Sequence, residues 1–459
     1  MPKGLIHRSI PAFLKYHWLD VMKTHLFALR NSFISGCEDS IKISVIRFLL
    51  LPKTVLKKPM KGSKGSRNRI LQNQLEVLSS LDILPDSFLP DTQDAVLGTP
   101  NKVIRAEQLI SEGYFSRASA VLTSQDFLLH SEDNASLLTD LHPLRPDEEF
   151  PSARDITPLE VSPISLIRTI KKSCNLSAPD LFGWTAEMLQ PILDDDDAID
   201  CLTFFLQHMM CGNLPSCLND VLLSSRIIAL DKNPGIRPIS IGNLFVKLVS
   251  KIGCSMMSQE FENHFGDLQF GIGQSAGCEK IIHHIRRHYN QDKTILTLDF
   301  KNAFNSVFRH AALSEVRQHF DLLYPFLHWA YSPESQLLWQ HGMDIKYLKS
   351  SSGCRQGDPL APLIFCIAIH PILKYLRSKF PSLDIYAEMD DVYLVGDDDV
   401  ISQCYEEMKG KFSAETGLEL RSDKCYILTK NPDSTLSQIL GLPLANGGGM
   451  RVLGSPVIL

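Results

Sequence analysis

The stretch IYAEMDDVYLVG at 385–396 constrains the fold more than any other part of the chain. Two β-branched and aromatic runs flank the adjacent acids Asp390 and Asp391, and such runs read as paired strands with the acids at the hairpin tip. A tight hairpin needs a residue with positive φ, which glycine supplies without steric cost, yet this tip has no glycine. Two like charges side by side repel, and a bound divalent cation is the usual reason to tolerate them. A third carboxylate from another strand is therefore expected.

TILTLDFKNAFNSVF at 294–308 supplies it, because a β-rich run ends at Asp299 before the pattern turns helical. The 91 residues from Asp299 to Asp390 leave room for a helix, a loop and a return strand in one sheet. Oxygen-only ligands select magnesium or manganese over zinc, and a metal pair about 3.5–4 Å apart clamps both oxygens of an in-line phosphoryl transfer. The chemistry indicated is nucleotidyl transfer. Between the acids, SSGCRQGDPLAPLIFCIAIHPILKYL at 351–376 reads as a polar loop with Gly353 and Gly357 leading into a long apolar helix, with Asp358 and Pro359 at the helix start. The aspartate runs at 194–197 and 397–399 lack symmetric apolar brackets and are read as solvated.

In this order the segments resemble the reverse transcriptases, and within them the polymerases of non-LTR (LINE-type) retrotransposons. The resemblance covers roughly 155–456: RIIALDKNPGIRPISIGNLFVKLVSKI at 226–252, the aspartate Asp299, the loop Arg355 to Pro359, the pair Asp390 and Asp391, TGLELRSDKCYIL at 416–428, and VLGSP at 452–456, similar to a primer grip. It implies an α+β right-hand polymerase, with fingers, an antiparallel palm sheet backed by helices, and a helical N-terminal extension. Its domains would be a basic arm with a helix at 1–70, a helical extension and acidic linker at 71–154, fingers at 155–290 and palm through primer grip at 291–459. The resemblance further implies that Asp299, Asp390 and Asp391 hold Mg2+, or Mn2+, and that Lys424 gives a proton to the departing pyrophosphate. Lys232, Arg237, Phe300, Phe304, Gln356 and Gly357 would form the nucleotide site, and RNA template, DNA primer and dNTPs are the implied partners.

The residue chemistry is consistent with those roles. Lys232 and Arg237 flank a Pro-Gly turn and suit phosphate oxygens, and a flat ring at Phe304 would leave no room for a 2′-hydroxyl. One position departs from the family pattern: Glu388 stands where an aromatic residue is usual, and a carboxylate there would repel the primer phosphate or compete for metal. The chain stops three residues after VLGSP, so the resemblance predicts no thumb, and no endonuclease is recognised. Two functions of different class follow: an RNA-directed DNA polymerase, or a truncated retroelement remnant that only binds nucleic acid. An RNA-dependent RNA polymerase would carry a polar sugar-sensing residue near Phe304.

The net charge of −6 conceals a basic N-terminus, where residues 1–70 carry fourteen Lys or Arg against three Asp or Glu. KKPMKGSKGSRNR at 57–69 reads as a cationic linker able to follow a phosphate backbone, and 13–33 as a helix. The spacing at 101–124 predicts a helical hairpin turning near Gly113, 125–160 an acidic linker, and 161–192 a helix, a Pro-Asp loop and a second helix packing Trp184. His283, His284 and His288 are read as solvated on a polar helix. No run reaches the roughly 18–20 apolar residues of a membrane span. Eleven cysteines without a C-x-x-C pair point to reduced thiols in an intracellular compartment, and family analogy points to the nucleus.

Overall fold

The computed structural model describes residues 14–56, 102–123, 131–144, 149–173, 175–232, 235–341, 344–445 and 451–457, with Ile10 and Leu128 singly. The basic stretch 57–69 lies outside the described residues. In chain order the strands are β1 (Ser225–Asp231), β2 (Ile236–Ile241), β3 (Thr294–Leu298), β4 (Ser335–His341), β5 (Asp344–Ser350), β6 (Asp384–Glu388), β7 (Asp391–Gly396), β8 (Tyr426–Leu428), β9 (Arg451–Val452) and β10 (Ser455–Pro456). The mixed α/β chain forms two compact units, one from Met1–Asp140, Pro158–Gly253 and Pro333–Ser350, the other from Leu141–Thr157, Cys254–Ser332 and Ser351–Leu459.

The first unit carries the sheet β2-β1-β4-β5. Strands β1 and β2 pair antiparallel, with Ala229 opposite Pro238, and β2 is an edge strand, where a residue lacking an N–H is tolerated. Their turn closes through Lys232 N–H donating to Gly235 C=O at 2.9 Å, with Gly235 at φ 110°. Beside the sheet, the helices Lys15–Ser35, Glu38–Leu49, Asp196–Met210 and Leu244–Met256 build an aromatic core. Trp184 lies 5.5 Å from Trp18, 5.3 Å from Phe48 and 5.1 Å from Phe245 between ring centroids. Both indoles spend their N–H on backbone, Trp18 on Met188 C=O and Trp184 on Leu49 C=O. The buried Asp180 accepts the N–H groups of Phe182, Trp184 and Leu244, each at 2.9 Å, which fixes the loop that delivers Trp184.

Helices Lys102–Ser111 and Phe115–Thr123 form the expected hairpin, turning through Gly113 at φ 79°. Two expectations are corrected. The acidic linker contains the helix Glu132–Asp140, whose opening acids suit the positive end of the helix dipole. The helix after the Pro-Asp loop is 3-10, Ala186–Asp194, because Pro191 inside it cannot donate an α-helical hydrogen bond. Within the 194–197 run, Asp195 caps helix Asp196–Met210 through Ala198 N–H and meets Lys23 at 2.6 Å.

The second unit is built on the antiparallel sheet β6-β7-β3-β8. Helix Gly277–Asn290 packs Ile281 and Ile285 against Ile295, Tyr386, Tyr393, Val395 and Leu428. Helix Ala361–Lys379, buried along most of its length, and helix Asp398–Lys411 belong to the same unit, with the helices Ser258–Phe265, Arg309–His319 and Tyr324–Tyr331. VLGSP forms the β9–β10 hairpin, with Val452 in the same core and Arg286 donating to Pro456 C=O at 2.7 Å. His283 and His284 are both exposed, with the His284 ring stacked on Tyr386 at 5.0 Å, and the solvated reading is corrected at His288 alone, which is half-buried and meets the Tyr386 hydroxyl at 3.1 Å because i and i+4 share a helix face. Among the described residues no helix is long and apolar enough to cross a membrane, and every described cysteine is a free thiol.

Candidate active site

Strand register brings the acids together. Leu298 of β3 pairs with Val392 of β7, so Asp299, one residue further, reaches the sheet end beside Asp391. Asp391 in turn pairs with Glu388 across the β6–β7 hairpin, and Met389 and Asp390 form the turn. The missing glycine is answered by Met389, which takes φ 55° itself. Partial burial, then Asp390, Asp299 and Glu388 in that order, push the Asp391 carboxyl up to about 6. Among the described residues no three His, Cys, Asp or Glu side chains form a ready metal cage. The donor set nevertheless fits a hard divalent cation, because it is oxygen-only and the neighbouring acids raise the Asp391 carboxyl.

Asp299 also faces Arg421, whose Nε lies 3.9 Å from its carboxylate and whose backbone N–H donates to Asp299 C=O at 2.8 Å. Arg421 pairs more tightly with Asp423, at 2.8 Å. Lys424, half-buried, donates its backbone N–H to Arg421 C=O in the same turn. Phe300, expected at the nucleotide, is 4% exposed and lies edge-on to Phe412 at 4.9 Å. Residues one apart along an extended chain face opposite sides, so the chain that presents Asp299 buries its neighbour. Phe304 is half-buried and stacks on Phe365 at 5.0 Å with the rings 15° apart.

The glycine loop docks on the turn after Asp299. Gly353 sits at φ 64°, and a Cβ there would lie 2.3 Å from the Asn305 carbonyl carbon. Cys354 N–H donates to Phe304 C=O at 2.7 Å, and Gly353 N–H to Val307 C=O at 3.0 Å. From beneath, Arg309, 1% exposed, donates to the carbonyls of Gly353, Tyr331 and Ser352. Arg355 is buried too, 4.3 Å from the Tyr331 ring centroid and 3.1 Å from Ala330 C=O. Asp358 is not the helix cap expected of it: it accepts the Tyr331 hydroxyl at 2.7 Å and the Leu360 N–H at 3.0 Å, and the helix starts at Ala361 with Pro362 in its first turn. Gln356 remains half-buried and Gly357 exposed, at φ 114°.

Lys232 and Arg237 are exposed on the β1–β2 hairpin and belong to the first unit, whereas the aspartates belong to the second. Glu388 is half-buried; burial raises its carboxyl, and a hydrogen bond with Cys278 acts against that rise. Sequence reasoning missed Gln269, Arg309, Tyr331 and Arg421. None follows a periodic signal, because each is defined by a partner on another segment.

Residues 230–444 match the family of reverse transcriptases (RNA-dependent DNA polymerases), and this stretch is a reverse transcriptase domain. It is related to the reverse transcriptases of non-LTR retrotransposons. It is 28% identical over 220 residues to the retrotransposable element SLACS 132 kDa protein of Trypanosoma brucei gambiense, a match covering 47% of this chain and 18% of that protein. The Pol polyprotein from the type-2 retrotransposable element R2DM of Drosophila melanogaster is 22% identical over 236 residues, 48% of this chain and 22% of that protein. The matched stretch thus spans only about a fifth of these relatives. A solved structure of apo telomerase from Candida Tropicalis shares 9% identity over 59% of this chain and 62% of that one, at a TM-score of 0.36, a likeness too distant to carry an argument.

Proposed function

We propose that the chain is an RNA-directed DNA polymerase of right-hand architecture that extends a DNA primer with dNTPs on an RNA template. The observation that carries this reading is the register that sets Asp299 beside Asp391 at one sheet end, with Asp390 in the adjoining turn. Asp299 and Asp390 would hold Mg2+, with Asp391 beside them, and bound Mg2+ would supply charge neutralisation for the reacting phosphate oxygens. Lys232 and Arg237 would take the triphosphate, one as a point charge and the other as a bidentate fork. Phe304, stacked on Phe365, would present a flat apolar wall to the sugar and favour deoxynucleotides. The loop carrying Gln356 and Gly357 would border the same nucleotide, and Lys424 would protonate the leaving pyrophosphate. Work at chromosomal targets would take the protein to the nucleus.

The opposing reading is a remnant that binds nucleic acid without chemistry, and Glu388 beside the pair is the feature that favours it. Primer extension on an RNA template, with Mg2+ and dNTPs, separates the two. Extension by the parent that disappears in an Asp390→Asn, Asp391→Asn double variant supports the polymerase; salt-sensitive RNA binding by both proteins with no extension supports the remnant.

A further inference from the structure

The aspartate turn is held in place by a side chain that the mechanism above does not use. Met389 adopts a left-handed conformation that a side chain with a Cβ disfavours, and it does so immediately before Asp390. Gln269, 0% exposed, binds both backbone polar groups of this one residue. Its Oε1 accepts Met389 N–H at 2.8 Å and Gly271 N–H at 3.1 Å, and its Nε2 donates to Met389 C=O at 3.4 Å. The backbone around Gln269 is itself fixed to β6, with Phe270 N–H on Ala387 C=O at 2.7 Å and Ala387 N–H on Leu268 C=O at 2.9 Å.

Two glycines permit this close approach. A Cβ on Gly271 would lie 2.9 Å from Met389 Cγ and 3.0 Å from Met389 N, and a Cβ on Gly277 would lie 2.2 Å from Phe270 C=O. The strap 268–271 therefore lies directly against the turn, and its one polar side chain is hydrogen-bonded to the turn's backbone.

We propose that Gln269 is a positioning residue that clamps the Met389–Asp390 turn and so sets where the Asp390 and Asp391 carboxylates meet a divalent cation. The proposal rests on the polymerase reading for its consequence, but its geometry does not. The test uses the full chain and two variants: Gln269→Met, of similar length without the amide, and Gly271→Ala, which keeps the amide but presses on the turn. Mn2+ binding followed by electron paramagnetic resonance and hydrogen exchange at the Met389 amide are read beside steady-state primer extension.

The clamp predicts that Gln269→Met, folded by circular dichroism, exchanges its Met389 amide faster and binds Mn2+ about tenfold or more weakly. Its kcat should fall by about ten- to a hundredfold with KM for dNTP nearly unchanged, the range seen when residues supporting metal ligands are removed. Unchanged Mn2+ affinity and unchanged Met389 exchange in the folded variant would overturn the proposal, whatever the activity. If Gln269→Met does not fold, Gly271→Ala decides: weaker Mn2+ binding and faster Met389 exchange support the clamp, and parent-like values refute it. A parent that binds Mn2+ but never extends a primer would defeat the polymerase reading while leaving both physical readouts to judge the clamp.

Discussion

Asp391 sits at the centre of the site, paired with Glu388 in the hairpin and adjacent to Asp390 and Asp299. Its neighbours share its charge, so its substitution should remove function without unfolding the protein. Asp391→Asn is expected to lower primer extension by roughly a thousandfold, the scale of losing a preorganised electrostatic group, with the melting temperature unchanged or raised. A drop in melting temperature in the absence of metal would show that the carboxylate is structural. Phe304→Ala should open the sugar wall and cut the preference for dNTPs over ribonucleotides roughly tenfold or more, read as the ratio of kcat/KM values, since a packing difference of this kind is worth about 1–3 kcal/mol. The placement of the three aspartates was legible because Asp390 and Asp391 stand between two β-rich runs and Asp299 closes a third, which puts all of them at strand ends. The burial of Phe300 was not legible, because motif membership says nothing about which side of an extended chain is buried. Gln269 was illegible because its partner Met389 is 120 residues away.

At the scale of elements, the hairpin of acids, the helical hairpin at 102–123 and the long apolar helix Ala361–Lys379 could all be read from pattern. The 3-10 segment and the helix Glu132–Asp140 could not, since one is set by a single proline and the other has weak apolar patterning in an acidic stretch. Trp184 joins three helices of the first unit through its ring contacts, and Trp184→Ala should cost about 3–5 kcal/mol in chemical unfolding.

In the second unit, His264 on helix Ser258–Phe265 packs 4.8 Å from His370 and 4.5 Å from His319. Burial, reinforced by neighbouring positive groups including Lys374, lowers His264 to about 4 and His370 to about 3. Both are neutral in the fold and protonated when unfolded below about pH 6.5, so stability should be complete above that pH and fall as pH drops toward 4. Each histidine contributes a slope of about 1.4 kcal/mol per pH unit. Asp391, raised to about 6 but exposed at the strand end and so screened by solvent, acts in the opposite sense and offsets only part of one of them. Urea melts in chelator between pH 6.5 and 4.5 should therefore show a steeper loss in Asp391→Asn than in the parent, and a shallower one in His370→Leu. Equal slopes in all three would contradict this account of the buried pair.

For the whole molecule, the charge is unevenly distributed: fourteen basic residues in 1–70 stand against a net −6 for the chain. Helices Lys15–Ser35 and Glu38–Leu49 lie in that segment, and their Trp18 and Phe48 are core residues, so deleting 1–70 would confuse binding with folding. Replacing Lys57, Lys58, Lys61, Lys64, Arg67 and Arg69 with glutamine avoids this. If the stretch follows RNA, the slope of log affinity against log salt should shrink by up to about 4, at roughly 0.7 per phosphate contact on a single strand. An unchanged slope would assign those charges elsewhere.

If acids from two strands form one metal-dependent polymerase centre, single-nucleotide incorporation depends on the acid of each strand. A DNA primer annealed to RNA is offered one dNTP at a time over a Mg2+ titration, with the parent and with Asp299→Asn, the acid outside the hairpin. The templated nucleotide alone should be added, with incorporation saturating in Mg2+ and lost in the variant. Incorporation that survives Asp299→Asn, or no incorporation by the parent at any Mg2+ concentration, would contradict such a centre.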